Sequence, residues 1–343
     1  MLVINARNVN DAWDQARQLL NTRHVVRPSR VGEVWECDQP VTTAYARPLE
    51  RVLFNPLRNA NPFFHIMEGL WMLSGSNDIC WISQFNKRMF EYSDDGVTQH
   101  AAYGHRWRKA FDMDGGAEDD YADQLLKIIR MLRKNPDERR AVLTAWNPLW
   151  DLERPELKDV PCNTQAYFKI REGRLAMVVT CRSNDIVWGC YGANVVHMSM
   201  LQEYMAAMIG VPVGPYWQVS DSWHAYTERW NEFGGADLTP TCDYYSTSRH
   251  GFPTVQPYPM VTVPETFDDE LAYWMERSVD RTFSNTFFPD VAEPLYKAWE
   301  AYKSGDLAKA ILLADLCEAS DWRLAACQWL DRVRVKRASK AGA

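Results

Sequence analysis

The chain has 343 residues and a formal net charge of -7 at pH 7, and 46% of its residues are hydrophobic. This length suffices for one large domain with its own core, or for one domain with an appendage. The acidic balance argues against general nucleic-acid binding, because such binding depends on clustered Lys and Arg side chains that neutralise phosphates.

The sequence shows no targeting or metal-binding signal. No apolar run approaches the roughly 18 residues of a membrane-spanning helix, and residues 1–10 have neither the basic nor the apolar part of a secretion signal. The eight cysteines and seven histidines are scattered without the spacing of a zinc site. We therefore expect a cytoplasmic protein with reduced thiols, no metal and no membrane contact.

The N-terminal part of the chain predicts a helix followed by strands. Apolar periodicity indicates an amphipathic helix over residues 10–20, and β-branched and aromatic residues indicate strands within residues 30–45. Arg27 or Arg30 is a candidate to hold an anion here, although a solvated surface arginine is the commoner role.

A buried helix with one acid comes next. Residues 62–73 have the apolar density of a core helix, interrupted by Glu68. Such a carboxyl faces solvent, finds a partner, keeps a water beside it, or has the raised pKa that suits acid–base catalysis. A plain amphipathic helix is predicted over residues 121–133, and Arg139 and Arg140 after it are either a solvated strand edge or a phosphate clamp.

The centre of the chain predicts a β-hairpin with strands over residues 165–171 and 175–181. A hairpin brings its outer ends together, so Cys162 at the entry should lie beside Arg182 at the exit. A neighbouring guanidinium favours the nucleophilic thiolate, and Arg182 with Ser183 offers donors for a phosphate. A lone cysteine is usually a small buried residue, and here its neighbours favour a site.

A glycine-bearing loop is predicted over residues 188–194, then a helix over residues 195–209 in which His197 is expected to be a satisfied core histidine rather than a ligand. A strand is predicted over residues 213–220, and a further helix is predicted to begin at Trp223.

The C-terminal part changes to helices after a proline-rich strand region over residues 252–264. Four helices are predicted near residues 268–281, 294–303, 307–314 and 322–335. We therefore predict a catalytic domain over residues 1–264 and a helical extension over residues 265–343.

Six separated motifs resemble those of the thymidylate synthase superfamily, in its order, over roughly residues 55–230. They are Glu68-x-Leu-Trp-x-Leu-x-Gly, Tyr103-Gly104-x-x-Trp107, Asn135-Pro136-Asp137-x-Arg139-Arg140, Pro161-Cys162, Arg182-Ser183-x-Asp185 with Gly189, and His224-x-Tyr226.

The resemblance implies an α/β fold, with a large twisted mixed sheet layered with helices. It also implies a homodimer whose active sites borrow arginines across the interface. The implied reaction transfers a one-carbon unit from 5,10-methylenetetrahydrofolate to C5 of a pyrimidine nucleoside 5′-monophosphate.

The same resemblance implies roles for individual residues. Cys162 adds to C6 of the base, Glu68 moves protons through water, and Tyr103 belongs to the wall of the active site. The implied phosphate ligands are Arg182, Ser183, Arg139 and Arg140. The implied base and ribose ligands are Asn194, Asn163, His224 and Tyr226. The carboxylate of Asp185 is expected to bind the folate.

Departures from the synthase pattern favour the hydroxymethylase branch of the superfamily. Asn163 replaces the histidine that usually follows the cysteine, and Phe90 or Tyr92 stands where synthases carry a shielding tryptophan. The C-terminal tail that closes over the folate is not recognisable. Water should then reach the intermediate and give a 5-hydroxymethyl product. The alternatives are a thymidylate synthase that methylates dUMP, and an inactive homologue that binds nucleotide or RNA.

The choice of base depends on one residue of spacing. Synthases read uracil with an asparagine eleven residues after the phosphate arginine, where this chain has Ala193. If the loop holds one extra residue, Asn194 reads the base and uracil is favoured. If not, Ala193 leaves the base edge unread and a water or Asn163 must serve, which is compatible with cytosine. The motifs around Cys162 and Asn184 favour cytidylate, as dCMP or CMP, over dUMP.

Overall fold

The computed structural model describes residues 1–111, 123–152, 156–246, 255–277 and 282–341. No helix among these residues is both long enough and apolar enough to cross a membrane.

The N-terminal elements combine one helix with four strands. They are β1 (Leu2–Ala6), α1 (Val9–Arg23), β2 (His24–Ser29), β3 (Gly32–Cys37) and β4 (Val41–Tyr45). Asn8 caps α1 by accepting hydrogen bonds from the amides of Asn10 and Asp11. The helix runs to Arg23, beyond its predicted end, and β2 begins at the next residue.

The central elements surround the predicted hairpin. Those before it are α2 (Pro62–Leu73), α3 (Ile79–Ser83), a short 3-10 helix (Lys87–Tyr92), α4 (Tyr103–Arg108), α5 (Gln124–Lys134), β5 (Val142–Thr144) and α6 (Pro148–Asp151). The hairpin and the elements after it are β6 (Asn163–Arg171), β7 (Arg174–Asp185), a π-helix (Ile186–Ala193), α7 (Asn194–Ile209), β8 (Val213–Tyr226) and α8 (Thr227–Glu232). The predicted hairpin is confirmed, and residues 121 and 122 of the helix predicted over 121–133 lie outside the described residues.

Two predictions for the central part are wrong. The helix predicted to begin at Trp223 is the last part of β8, because β7 pairs with residues 223 and 224 and β3 pairs with residues 224–226. The predicted loop over residues 188–194 belongs mostly to a π-helix, whose apolar side chains are largely buried.

The sheet is mixed and contains eight strands within the described ranges. Its order is β1-β4-β8-β7-β6-β5, and β3 pairs with the far half of β8 and with β2. β1 pairs with β4 and β7 with β8 in parallel, whereas the other pairs are antiparallel. This architecture confirms the predicted α/β fold with a large mixed sheet. Helix α7 is buried nearly all round, as expected for a helix packed in the core.

One face of the sheet carries a row of side chains that the rest of the chain covers only in part. The row runs directly across four neighbouring strands through Val142, Tyr167, Val178 and Trp217. Val142 is 37% exposed and Tyr167 is 39% exposed, whereas Val178 and Trp217 are half-buried.

The C-terminal helices pack on the rest of the protein. They are α9 (Pro264–Met275), a π-helix (Phe288–Ala292), α10 (Glu293–Lys303), α11 (Leu307–Asp315) and α12 (Ser320–Ala341). Phe63 of α2 contacts Trp299 and Trp329, with ring centroids 5.6 and 5.8 Å apart. The strand region predicted over residues 252–264 is wrong for residues 255–263, which form neither strand nor helix. Residues 252–254 and 278–281 of the predicted elements lie outside the described part, and the domain boundary after residue 264 stays a prediction.

Candidate active site

The ends of the hairpin bring the predicted nucleophile and arginine together. The amides of Cys162 and Asn163 donate hydrogen bonds to the Tyr103 hydroxyl, at 3.1 and 3.0 Å. The Arg182 amide donates to the Cys162 carbonyl at 2.9 Å, and its Nε donates to the Pro161 carbonyl at 2.9 Å. The backbone around the thiol is therefore held from two sides.

Opposing effects set the pKa of the thiol. Burial raises the pKa of Cys162 above its ordinary value, and the charges of Arg182 and Arg30 act against this rise. The carboxylates of Asp159 and Asp185 add to it. The nucleophilic thiolate therefore depends on the arginines at the mouth of the site.

Arg30 is the residue of the N-terminal pair that lies near the thiol. It stands in the turn between β2 and β3, and its charge acts on the pKa of both Cys162 and Tyr226. Arg27 instead forms an ion pair with Glu36 at 2.9 Å. Arg30 and Arg182 therefore both bring positive charge to the surroundings of Cys162.

Three buried asparagines form a chain of hydrogen bonds that starts next to the nucleophile. Asn163 Nδ2 donates to Asn194 Oδ1 at 3.2 Å, and Asn194 Nδ2 donates to Asn184 Oδ1 at 3.0 Å. Asn184 Nδ2 donates to the Ser220 hydroxyl at 2.9 Å. A Cβ added to Gly189 would lie 3.1 Å from the amides of Asn184 and Asn194, so glycine lets them approach each other.

The π-helix accommodates the extra residue before Asn194. A π-helix closes its hydrogen bonds between residues five apart, so it holds more residues per turn than an α-helix and often marks a functional site. The segment Ile186–Ala193 has this geometry, and α7 continues from it at Asn194. The spacing of twelve residues from Arg182 therefore still brings the Asn194 amide to Asn163.

Asp185 presents one carboxylate oxygen that is not used within the described part of the chain. Its Oδ1 accepts hydrogen bonds from the amides of Val187 and Trp188, both at 2.7 Å. Its Oδ2 is buried and has no hydrogen-bond partner among the described residues. Burial raises the pKa of this carboxyl. A buried acceptor of this kind fits the N–H groups of a pterin ring.

The predicted ribose ligands lie on β8 beside Asp185. His224 is the direct neighbour of Asp185 in the pairing of β7 with β8, as Ser183 is of Ser222. His224 and Tyr226 share one face of β8, with ring centroids 5.7 Å apart. The hydroxyl of Tyr92 lies close enough to that of Tyr226 to add to the rise in the pKa of Tyr226, so Tyr92 has a place near the site.

Glu68 lies on α2 and contacts the predicted core histidine. Its Oε2 is 3.0 Å from Nε2 of His197 on α7, and both side chains are buried. His197 is thus buried as predicted, but its Nε2 has no aligned hydrogen bond within the described ranges, so the prediction that it is satisfied is wrong. Asn194 and His197 are three residues apart on one helix face, and this spacing is the sequence signal that could have placed His197 near the site.

Arg139 and Arg140 do not join the other predicted phosphate ligands within one chain. The Ala141 carbonyl accepts a hydrogen bond from the amide of Phe168, six residues after Cys162. At the rise per residue of a β-strand, six residues place the Ala141 carbonyl about 20 Å from Cys162. Arg140 is 81% exposed at its side chain and pairs with Glu138 at 2.7 Å.

Asp159 is a further acid near the nucleophile that none of the sequence motifs includes. Its Oδ2 accepts a hydrogen bond from the Ala101 amide at 2.9 Å, and burial raises its pKa to about 6. The sequence signal that could have indicated Asp159 is its position three residues before Cys162. Among the described residues, no group of His, Cys, Asp or Glu side chains is arranged to hold a metal ion.

The chain is similar to known proteins over most of its length. The family profile described as thymidylate synthase matches residues 58–236. A deoxyuridylate hydroxymethyltransferase of Pseudomonas phage M6 is 45% identical over 349 residues, which cover 98% of this chain and 95% of that protein. Proteins with the same name from Bacillus phage SP01 and Delftia phage PhiW-14 are 38% and 34% identical, over 62% and 49% of this chain and 54% and 47% of their own lengths.

The opposing charges around Cys162 predict how its reactivity changes. Replacing Arg182 by Gln removes a charge that lowers the pKa of the thiol, so alkylation by iodoacetamide should slow several-fold at neutral pH and its pH profile should move to higher pH. Mass spectrometry of the peptide that contains Cys162 gives the rate. Arg182→Lys keeps the charge and should stay closer to wild type, whereas Asp159→Asn should move the profile to lower pH. Identical profiles for wild type and Arg182→Gln would contradict this account.

Proposed function

Since the chain belongs to the thymidylate synthase family and is a one-carbon transferase, we propose that it hydroxymethylates C5 of dUMP, with 5,10-methylenetetrahydrofolate as the one-carbon donor. The observation that carries this proposal is the buried Asn194 amide, held on both sides beside the nucleophile. The three phage relatives described above are each named deoxyuridylate hydroxymethyltransferase, which supports it.

The orientation of Asn194 supports uracil as the base. Uracil presents a donor at N3 and an acceptor at O4, which an amide matches with its oxygen and its nitrogen. Asn194 Oδ1 already accepts from Asn163, and its Nδ2 already donates to Asn184. Turning the amide to suit cytosine would place two NH2 groups together at Asn163 and two oxygens together at Asn184. We therefore favour dUMP over the cytidylate that the motifs indicated.

The roles of the other residues follow from their positions. Cys162 would add to C6 of the base, while Arg182 and Arg30 hold the 5′-phosphate and keep the site positive. Asp185 Oδ2 would bind the pterin of the folate, which supplies carbon at the oxidation level of formaldehyde. Phe90 and Tyr92, one of which stands where synthases carry a shielding tryptophan, are 46% and 41% exposed and would leave water a path to the intermediate.

A homodimer accounts for the two distant arginines. The partly exposed row through Val142, Tyr167, Val178 and Trp217 crosses one face of the sheet, and a second copy packed on it would cover these apolar side chains. Arg139 lines a cavity of about 220 Å³ next to Tyr167 and Val178. Arg139 and Arg140 would then reach the phosphate in the partner's site.

Mass spectrometry of products tests the reaction directly. With dUMP and methylenetetrahydrofolate, the wild-type protein should form 5-hydroxymethyl-dUMP, and Cys162→Ser should form no product while dUMP binding persists, because only the nucleophile is lost. A methylated product together with a rise in near-ultraviolet absorbance from dihydrofolate would identify a thymidylate synthase instead. No product from dUMP, dCMP or CMP would support the inactive homologue.

Asn194→Asp should change the preferred base. A carboxylate accepts from the 4-amino group of cytosine but offers no donor to O4 of uracil, so kcat/KM for dUMP should fall and that for dCMP should rise. A mismatch of this kind costs about 1–3 kcal/mol, or roughly 5- to 150-fold in kcat/KM for each nucleotide. Competition between dUMP and dCMP, read by mass spectrometry, measures the change. Asn135→Asp, at an exposed C-cap, is the matched control and should leave the preference as it is.

Subunit mixing tests the shared site. Arg140→Ala and Cys162→Ala should each be strongly impaired, but a mixed dimer contains one site with both residues intact. Equal mixing should therefore restore roughly a quarter of wild-type activity. Mixing Arg182→Ala with Cys162→Ala is the control without recovery, since both residues serve the same chain's site. Absence of recovery despite proven subunit exchange would rule out the role of Arg140 across the interface.

A further inference from the structure

Glu68 and His197 form a buried pair between α2 and α7. Glu68 Oε2 and His197 Nε2 are 3.0 Å apart, and their side chains are only 10% and 2% exposed. The contact is not aligned as a hydrogen bond, and neither atom has a hydrogen-bond partner elsewhere among the described residues. Each atom therefore keeps the capacity to exchange a proton with a water or a substrate.

The packing of the two helices holds this pair in place. Gly69, directly after Glu68, lies so close to α7 that a Cβ there would be 2.4 Å from the Met200 sulfur. Met200 is three residues after His197, and Asn194 is three residues before it, so one face of α7 carries all three. The base-reading amide and the Glu68–His197 pair therefore lie one helical turn apart.

The surroundings of the pair include a second histidine and an arginine. His65 lies one turn before Glu68 on α2, and its pKa is well below its ordinary value because of burial and the charges of Arg58 and His197. His65 is therefore neutral near pH 7. Arg58 lies in the segment before α2, where it stacks on Trp188 and donates to the Val187 carbonyl.

We propose that His197 is a positioning residue that shares a proton with Glu68 and so prepares this carboxylate to take the proton of the water that adds to the nucleotide. The proposal rests on the proposed function. A buried carboxylate without a partner is costly, and an imidazole whose Nε2 lies 3.0 Å away can offset its charge by taking up a proton. The imidazole also gives the proton a second place to reside.

Water adds to the nucleotide while the base is bound to Cys162 through C6 and carries a methylene group double-bonded to C5. The oxygen of water bonds to this methylene carbon, one O–H bond of the water breaks, and the proton passes to Glu68. The electrons of the methylene double bond move into the ring and then re-form the C5–C6 double bond as the Cys162 sulfur leaves with its bonding pair. The proton held by Glu68 and His197 returns to the thiolate.

Variants of His197 test the proposal. His197→Asn keeps an N–H group but does not titrate, and we expect KM for dUMP within about twofold of wild type and kcat lower by about 10- to 100-fold. In His197→Asn, the plot of kcat against pH should lose one of the two slopes that the wild-type protein shows. His197→Ala, which also lacks the donor, should be slower than His197→Asn. Thermal unfolding and dUMP binding establish that each variant is folded.

His65→Asn is the matched control, because it also replaces a buried histidine between the same helices. Its pH profile should keep the wild-type form. The proposal is overturned if both His197 variants keep the wild-type kcat and pH profile, or if His65→Asn changes the profile in the same way. Formation of thymidylate by the wild-type protein would disprove the proposed function and, because no water then adds, the role of His197 with it. A 5-hydroxymethyl product that forms at the wild-type rate in both His197 variants would overturn the role of His197 alone.

Discussion

The pairing of β7 with β6 on one side and with β8 on the other is the constraint on which the site depends. The register sets Asn163 opposite Cys181 and Asp185 opposite His224, so the ends of three strands meet at one edge. A shift of one residue would turn each side chain to the other face of the sheet. The buried core below these strands excludes such a shift. The fixed register therefore brings the polar groups of three strands together at this edge of the sheet.

The buried polar groups of the site divide into two sets. The asparagine chain that ends at Ser220 satisfies most of its own hydrogen bonds, which keeps the amides rigid. Asp185 Oδ2 and the Glu68–His197 pair instead retain unused capacity within the described part of the protein. The first set is suited to recognise a base, and the second is suited to bind or move protons, because only groups with free capacity can exchange partners.

Relatives from three phages and the family profile confirm the predicted membership of the thymidylate synthase superfamily and its hydroxymethylase branch. Local pattern was reliable where one interaction dominated: the hairpin strands alternate, and Gly210 ends α7 with φ of 91°. It failed at residues 223–226, because pairing first with β7 and then with β3 holds these residues as a strand.

The sequence by itself determined the hairpin that unites Cys162 with Arg182, because turn chemistry and strand alternation are local properties. Only the tertiary structure decided that His197 faces Glu68 and that the π-helix brings Asn194 to the neighbourhood of Cys162. It also decided that the backbone next to Arg140 lies about 20 Å from Cys162. These relations depend on how helices pack and how strands register over long separations in the chain. Such contacts leave no periodic trace in a single sequence.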